Sequence, residues 1–287
     1  MSRVVMCHGI GYQYKHRETE LTKWYEALRK GMTDTTVAVP APEHVSAVYY
    51  GNCYRTLGSK SADTGEDEFA DVPPLRIGDV RDPLEHALLE AFAEGLGAPP
   101  AGTKGITQAA LRRLEASPAL GLPPGRLVIW LVRQVRRYLD PRDTVRACAQ
   151  ERFARVVTPD TRVVVAHSLG SVVAYEALCA HPEWNVDTFI TLGSPLGIGA
   201  IRERLVHGAD ADGNPTGPQV ARWINVAADE DPVALVKKLG TVFGDRVEDR
   251  LVVNAGLSRF VFGGHSLLRY LTTSEVAEGV ADALRHD

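Results

Sequence analysis

The chain has 287 residues, 45% of them apolar, and a net charge of −4. That length and apolar share are ample for one large α/β core. The slight negative charge leaves no electrostatic case for binding nucleic acid or an anionic membrane surface, and no apolar run approaches the roughly 18 residues of a membrane span.

Residues 3–7 form an apolar β-branched run that reads as a core strand, so no signal peptide is expected. The turn His8-Gly9-Ile10-Gly11 follows at once, and its glycines let a ligand approach the backbone closely. Leu21, Trp24, Tyr25, Leu28 and Met32 make a helical stripe. Residues 45–50 are the next strand, ended by Gly51-Asn52.

Residues 55–125 break the alternation of strand and helix. An acidic loop holding Asp63, Glu66, Asp67, Glu68 and Asp71 leads to Pro73-Pro74. Asp82-Pro83 is a helix start, N-cap then first-turn proline. The helix that follows, 84–94, carries Leu84, Leu88, Ala91 and Phe92 on one side, and a second short helix is predicted at 106–116. This insertion reads as a helical cap, with a peripheral layer away from any site as the alternative. Residues 127–139 are amphipathic: Val128, Leu131, Val132, Val135 and Leu139 share one face, and Arg133, Arg136 and Arg137 share a solvated one. A further helix is predicted over 141–156.

Arg162 to Ser171 is the stretch around which the chain is organised. An apolar run, 163–166, ends in His167-Ser168-Leu169-Gly170 and passes into a helix-compatible sequence. Strand, tight turn, serine, helix is the layout of the nucleophile elbow G-x-S-x-G, here with Ala166 in place of the first glycine. A plain helix N-cap is the competing reading of the serine. Later strands are predicted at 186–192, 222–228 and 251–254, and a closing helix at 274–284. The loop 209–217 has Asp210 and Asp212, but Ala221 stands where a calcium loop needs its glutamate, and no metal site is read. His16, His44, His86, His181, His207 and His286 have no metal spacing. Cys7, Cys53, Cys148 and Cys179 are scattered without C-x-x-C spacing. Cys7 and Cys179 read as buried free thiols, and the cysteine pattern as a reducing, cytoplasmic setting.

Alternating strands and helices imply a mostly parallel sheet of about six strands, covered on both faces, with ligands bound beyond the carboxyl ends of the strands. His8, Ser168, Asp231 and His265 all follow a strand and so share that edge. A serine hydroxyl needs a base to take its proton, and the base needs an acid to hold its tautomer. His265, between Gly264 and Ser266, is the candidate base. Asp231 is the preferred acid and Asp229 its alternative. The amides of Ile10 and Leu169 are candidate oxyanion donors. His8, Gly9, Gly11, His167 and Gly170 support these groups: His8 by hydrogen bonds that shape its turn, His167 by packing and orientation. Ser194 is set aside as a nucleophile because proline follows it. Asp187 falls at the wrong edge.

His8-Gly9-Ile10-Gly11, Ala166-His167-Ser168-Leu169-Gly170, Gly193-Ser194-Pro195, Asp231-Pro232-Val233 and Gly264-His265-Ser266 together resemble the α/β-hydrolase superfamily. The nearest flavour is the lipase and inositol-deacylase-like serine esterases. The resemblance spans the whole chain as one domain, 1–287, apart from the cap insertion at 55–125. It implies a sheet lacking the two usual leading strands, as in some bacterial lipases. It also implies a triad of Ser168, Asp231 and His265, oxyanion amides from Ile10 and Leu169, no cofactor, and a small apolar acyl ester or thioester as substrate. Acyl transfer, biosynthetic thioester release or peptide cleavage by the same triad remain alternatives, as does a non-catalytic binding protein on this fold.

Overall fold

The structure is a computed structural model that describes residues 2–55, 80–95, 124–210, 214–254 and 263–285; of 92–95, 124–128 and 263 it describes the backbone alone. The expected acidic loop, the 106–116 helix and the side chains of Phe92 and Val128 lie outside the described residues.

Six strands form one all-parallel sheet: β1 Val4–Cys7, β2 Val45–Val48, β3 Val163–His167, β4 Thr188–Leu192, β5 Arg222–Ala228 and β6 Val247–Val252. Their spatial order is β2-β1-β3-β4-β5-β6. The order reverses between β1 and β3, which pair in register from Val4 opposite Val163 to Cys7 opposite Ala166. Such a reversal opens a crevice at the carboxyl edge, because the connections leave the two strands toward opposite faces.

The strands are apolar on both sides because both faces are covered. The two-residue period divides each of them between two cores. Val5, Cys7, Val164, Ala166, Phe189 and Trp223 face one apolar cluster. Val4, Met6, Val163, Val165, Ile190 and Ile224 face the other. The second cluster is closed by α1 (Arg17–Gly31) through Trp24 and Leu28. The first takes α2 (Pro83–Gly95), α3 (Pro124–Leu139), α4 (Val145–Ala154) and α5 (Leu169–Ala180). The short helices α6 (Gly199–Arg202) and α7 (Gly240–Phe243) follow β4 and β5, with Ile201 and Phe243 in that same cluster. Beyond β6, α8 (Leu267–Leu271) and α9 (Ser274–Arg285) return to the α1 face.

The helix start at Asp82-Pro83 is built as the residue types require. Asp82 Oδ1 accepts from the Leu84 amide at 2.8 Å, which satisfies one of the donors left over at a helix N-terminus. Leu84 and Leu88 are buried in the cluster that also holds Leu169 and Leu196. They are core residues and do not line an open acyl pocket. α2 is joined to α3 by Glu85, which accepts from Arg136 Nε at 3.1 Å. α3 in turn rests on segments leaving the carboxyl ends of β1 and β2. Gln13 Nε2 donates to Gln134 Oε1 at 3.4 Å, and Tyr54 Oη donates to the Gln134 carbonyl at 3.1 Å.

Four sequence readings are corrected. Arg133, Arg136 and Arg137 do not form a solvated face: their side chains are 25–27% exposed and pair with Glu85, Asp140 and Asp143. The buried stripe of α3 is Ile129, Val132, Val135, Tyr138 and Leu139, with Leu131 only half-buried. β6 begins at Val247, not at 251. It is an edge strand, and its Glu248 and Leu251 face solvent, so its first half looks like loop in sequence. Cys53 and Cys148 are joined in a disulfide across a sequence separation of 95. That bond is typical of oxidising compartments, so the reducing setting inferred from cysteine spacing loses its support. Cys7 and Cys179 are free. Among the described residues no helix is long and apolar enough to cross a membrane.

Candidate active site

Ser168 stands between β3 and α5 with φ 54° and ψ −133°. Among the described residues it is the one non-glycine with positive φ. Such a conformation costs on the order of 1–3 kcal/mol and persists only where the surroundings over-determine it. Here the Ser168 amide donates to the Leu192 carbonyl at 3.0 Å. Its carbonyl accepts from the amide and the hydroxyl of Ser171, at 2.9 and 2.6 Å. The side chain makes no capping hydrogen bond to α5, so the N-cap reading fails. Small neighbours are obligatory. A methyl on Gly9 would lie 2.8 Å from Ser168 Cβ, and one on Gly170 would strike the His8 carbonyl. Ala166, where the motif has glycine, is accommodated because it points into the core with no exposure.

The turn after β1 therefore lies directly against Ser168. It is held by His8, which is fully buried and stacked between Tyr12 and Tyr50 at ring separations of 4.5 and 4.4 Å. His8 Nε2 accepts from the Tyr50 amide at 3.1 Å, so Nδ1 carries the hydrogen and donates to the Gly9 carbonyl at 2.5 Å. Burial lowers its pKa to about 3, and the ring stays neutral. Gly11 completes the turn at φ 93°. Ile10 follows Gly9 and Leu169 follows Ser168, so their amides flank the contact between the two segments. The Leu169 amide, in the first turn of α5, has no intrahelical acceptor.

Asp231 lies in the turn after β5 and is buried; Asp229 is exposed. Asp231 Oδ2 accepts from His265 Nδ1 at 2.8 Å and from Tyr270 Oη at 2.6 Å. Its Oδ1 accepts from the amides of Val233 and Ala234 at 2.8 and 3.3 Å. Burial pushes this carboxyl up, but the His265 ring beside it and the hydrogen bonds from His265, Tyr270 and the Val233 amide outweigh it, and its pKa falls to about 2. Because an ionised carboxylate only accepts, His265 Nδ1 carries the hydrogen and Nε2 is left as the basic nitrogen. Gly193, at φ 53°, forms the floor of this cluster. A methyl there would overlap Asp231 Oδ2 and lie 3.0 Å from His265 Nδ1 and 3.1 Å from the Tyr270 ring.

His265 is docked onto the elbow. His167 Nε2 donates to its carbonyl at 2.9 Å, and the two rings are 4.5 Å apart. Asn254 donates to the Gly264 carbonyl at 3.1 Å. The structure thus brings Ser168, His167, Asp231, His265 and the turn at His8 to Gly11 to one edge, and leaves Asp229 outside. Ser194 is buried, accepts from the Leu196 amide and meets Ser171 Oγ at 2.6 Å, so its hydroxyl is spent on local structure. Asp187 precedes β4 and lies at the opposite edge.

Three participants were missed from sequence: Tyr270, Asn254 and Lys237, whose ammonium donates to the carbonyls of Ala228 and Asp231 at 2.8 and 2.5 Å. The position of Tyr270, five residues beyond the candidate base in the short helix that follows it, was an available signal. Lys237 and Asn254 carried none, because each acts on backbone carbonyls that only the folding of the intervening turn brings within reach. No protein-family model matches the chain, and no curated protein matches it.

Proposed function

We propose that this chain is a serine hydrolase of the α/β-hydrolase type, cleaving a carboxylic ester or thioester through an acyl-enzyme. The observation that carries the reading is the pair of buried Asp231 and partly buried His265 at 2.8 Å, docked through His167 onto the strained serine of the elbow. In this reading Ser168 Oγ attacks the acyl carbon while His265 Nε2 takes its proton. Asp231 holds the imidazole tautomer and stabilises the imidazolium. The amides of Ile10 and Leu169 receive the oxyanion. The imidazolium then protonates the leaving alkoxide or thiolate, and the same nitrogen activates water to release the acid. The sheet order supports the assignment, since the nucleophile turn after β3 and the oxyanion turn after β1 meet where the strand order reverses. The insertion at 55–125 is read as a cap that gives an apolar acyl group a dry pocket.

Labelling with a fluorophosphonate probe tests the nucleophile. Wild type labels, and Ser168→Ala, which removes one oxygen, stays folded and does not. Hydrolysis of a p-nitrophenyl ester series then falls by several orders of magnitude in the variant. Persistent labelling of Ser168→Ala moves the nucleophile elsewhere.

A further inference from the structure

We propose that Tyr270 is a positioning residue for the Asp231–His265 pair: its phenol fixes which oxygen of Asp231 faces the imidazole and how much negative charge that oxygen presents. This rests on the serine hydrolase reading and deepens it.

The hydrogen-bond directions are forced. The Ala228 amide can only donate, and it donates to Tyr270 Oη at 2.9 Å. The single phenolic hydrogen is therefore free for Asp231 Oδ2, at 2.6 Å. Oδ2 also receives His265 Nδ1 at 2.8 Å, while Oδ1 is occupied by the amides of Val233 and Ala234. The carboxylate has two donors on each oxygen and no freedom to rotate. Ala228 ends β5, and Tyr270 sits on α8, the helix that follows His265. One phenol thus links the strand that carries the acid to the segment that carries the base. Burial and the adjacent Asp231 charge push the phenol well above its ordinary pKa, so it remains a donor throughout the working range.

Two donors on one oxygen share its charge. With Tyr270 present, Asp231 stabilises the imidazolium less than a carboxylate without that donor does, and holds it in one orientation. Removing the phenol oxygen raises the basicity of the imidazole and loosens its aim. The other groups around the pair are unaltered by this change: the Lys237 ammonium, the Glu230 and Asp229 carboxylates and the neutral His167 ring.

The test uses two changes of opposite sign. Tyr270→Phe keeps the ring and deletes the donor. A ring-fluorinated tyrosine at the same position keeps the Ala228 contact and makes the donor stronger. The His265 ring is titrated by NMR in the Ser168→Ala background and assigned by its loss in His265→Gln. The expected result is a midpoint moved up by about half a pH unit in Tyr270→Phe and moved down in the fluorinated protein. In the active chain, the acid limb of the fluorophosphonate labelling rate moves the same way. kcat for ester hydrolysis falls about tenfold in Tyr270→Phe with KM nearly unchanged, the pattern of an interaction made only in the transition state. A purely structural tyrosine lowers Tm and moves neither midpoint, and that result overturns the proposal. If Tyr270→Phe does not fold, the fluorinated protein decides alone, by its downward shift or the lack of one. A wild-type chain that never labels, with the titration shifted as stated, overturns the hydrolase reading while the hold of Tyr270 on Asp231 stands.

Discussion

His167 and His265 are joined ring to backbone: the Nε2–H of His167 donates to the main-chain carbonyl of His265, 2.9 Å away. The carbonyl can only accept, so His167 Nδ1 is an unprotonated lone pair, and it is buried with no hydrogen-bond partner among the described residues. Burial is the main reason that the His167 pKa falls to about 3. The ring is therefore a neutral strut between the nucleophile elbow and the loop carrying the base. His167→Ala should slow labelling of Ser168 about tenfold and lower stability by about 1 kcal/mol for the lost hydrogen bond. His167→Gln, whose Nε2 can donate to the same carbonyl, should recover most of both. Equal labelling rates in wild type and His167→Ala would show that the His265 loop holds itself.

Replacement of the acid should discriminate sharply between the two carboxylates near β5. In Asp231→Asn the oxygen is claimed by the Val233 and Ala234 amides, which leaves an NH2 facing His265 and Tyr270. The imidazole must then present a lone pair at Nδ1 and lose its basic nitrogen. A drop of about 10³–10⁴-fold in kcat is expected, as for the wrong tautomer in a serine triad. Asp229→Asn, exposed and outside the cluster, should change kcat less than about twofold. Ester kinetics of the two variants side by side provide the check, and similar losses in both would displace Asp231.

Stability should fall steeply on acidification, beginning near neutrality. His8 and His167 both have folded pKa values of about 3, against an ordinary 6.5. A lowered histidine pKa means that the unfolded chain binds the extra proton, so stability is full above 6.5 and is lost as pH falls from 6.5 toward 3. Two such groups steepen the decline by about 3 kcal/mol per pH unit in that window. Asp231, lowered to about 2, has linkage of the same sign in a lower window: its contribution is present above the ordinary carboxylate pKa of 3.8 and disappears only as pH falls toward 2. Thermal melts from pH 8 to pH 4 give the slope, and His167→Gln should flatten it by about one proton.

The Cys53–Cys148 bond closes a loop with a sequence separation of 95. In the chain-entropy account, a crosslink over about 100 residues restricts the unfolded chain by about 4–5 kcal/mol, and measured values are commonly 2–4 kcal/mol. Reduction, or Cys53→Ser with Cys148→Ser, should therefore lower the denaturant midpoint by several kcal/mol worth of stability. Ser168 and its partners lie outside that crosslink, so the residual folded protein should label at the wild-type rate per folded molecule. An unchanged midpoint after verified reduction would show that the loop is held equally well by packing.

What could be read from sequence was what is local. A β-branched run followed by His167-Ser168-Leu169-Gly170 specifies a strand, a tight turn and a helix, because each demand involves neighbours within a few residues. Asp82-Pro83 specifies a helix start for the same reason. The alternation of strands with helices declared a covered parallel sheet, and the positions just after the strands predicted which side chains share an edge. The first four residues of β6 escaped because an edge strand with Glu248 and Leu251 in solvent lacks the unbroken apolar composition of a strand covered on both faces, although its backbone pairs fully with β5. Arg136 and Glu85, Cys53 and Cys148, and Tyr270 and Asp231 are separated by 51, 95 and 39 residues. Their pairing depends on how α2, α3, α4 and α8 pack on the sheet, which no local pattern encodes. The choice of Asp231 over Asp229 was decided in the same way: both follow β5, and only the tertiary turn buries one of them against His265 and sends the other to water.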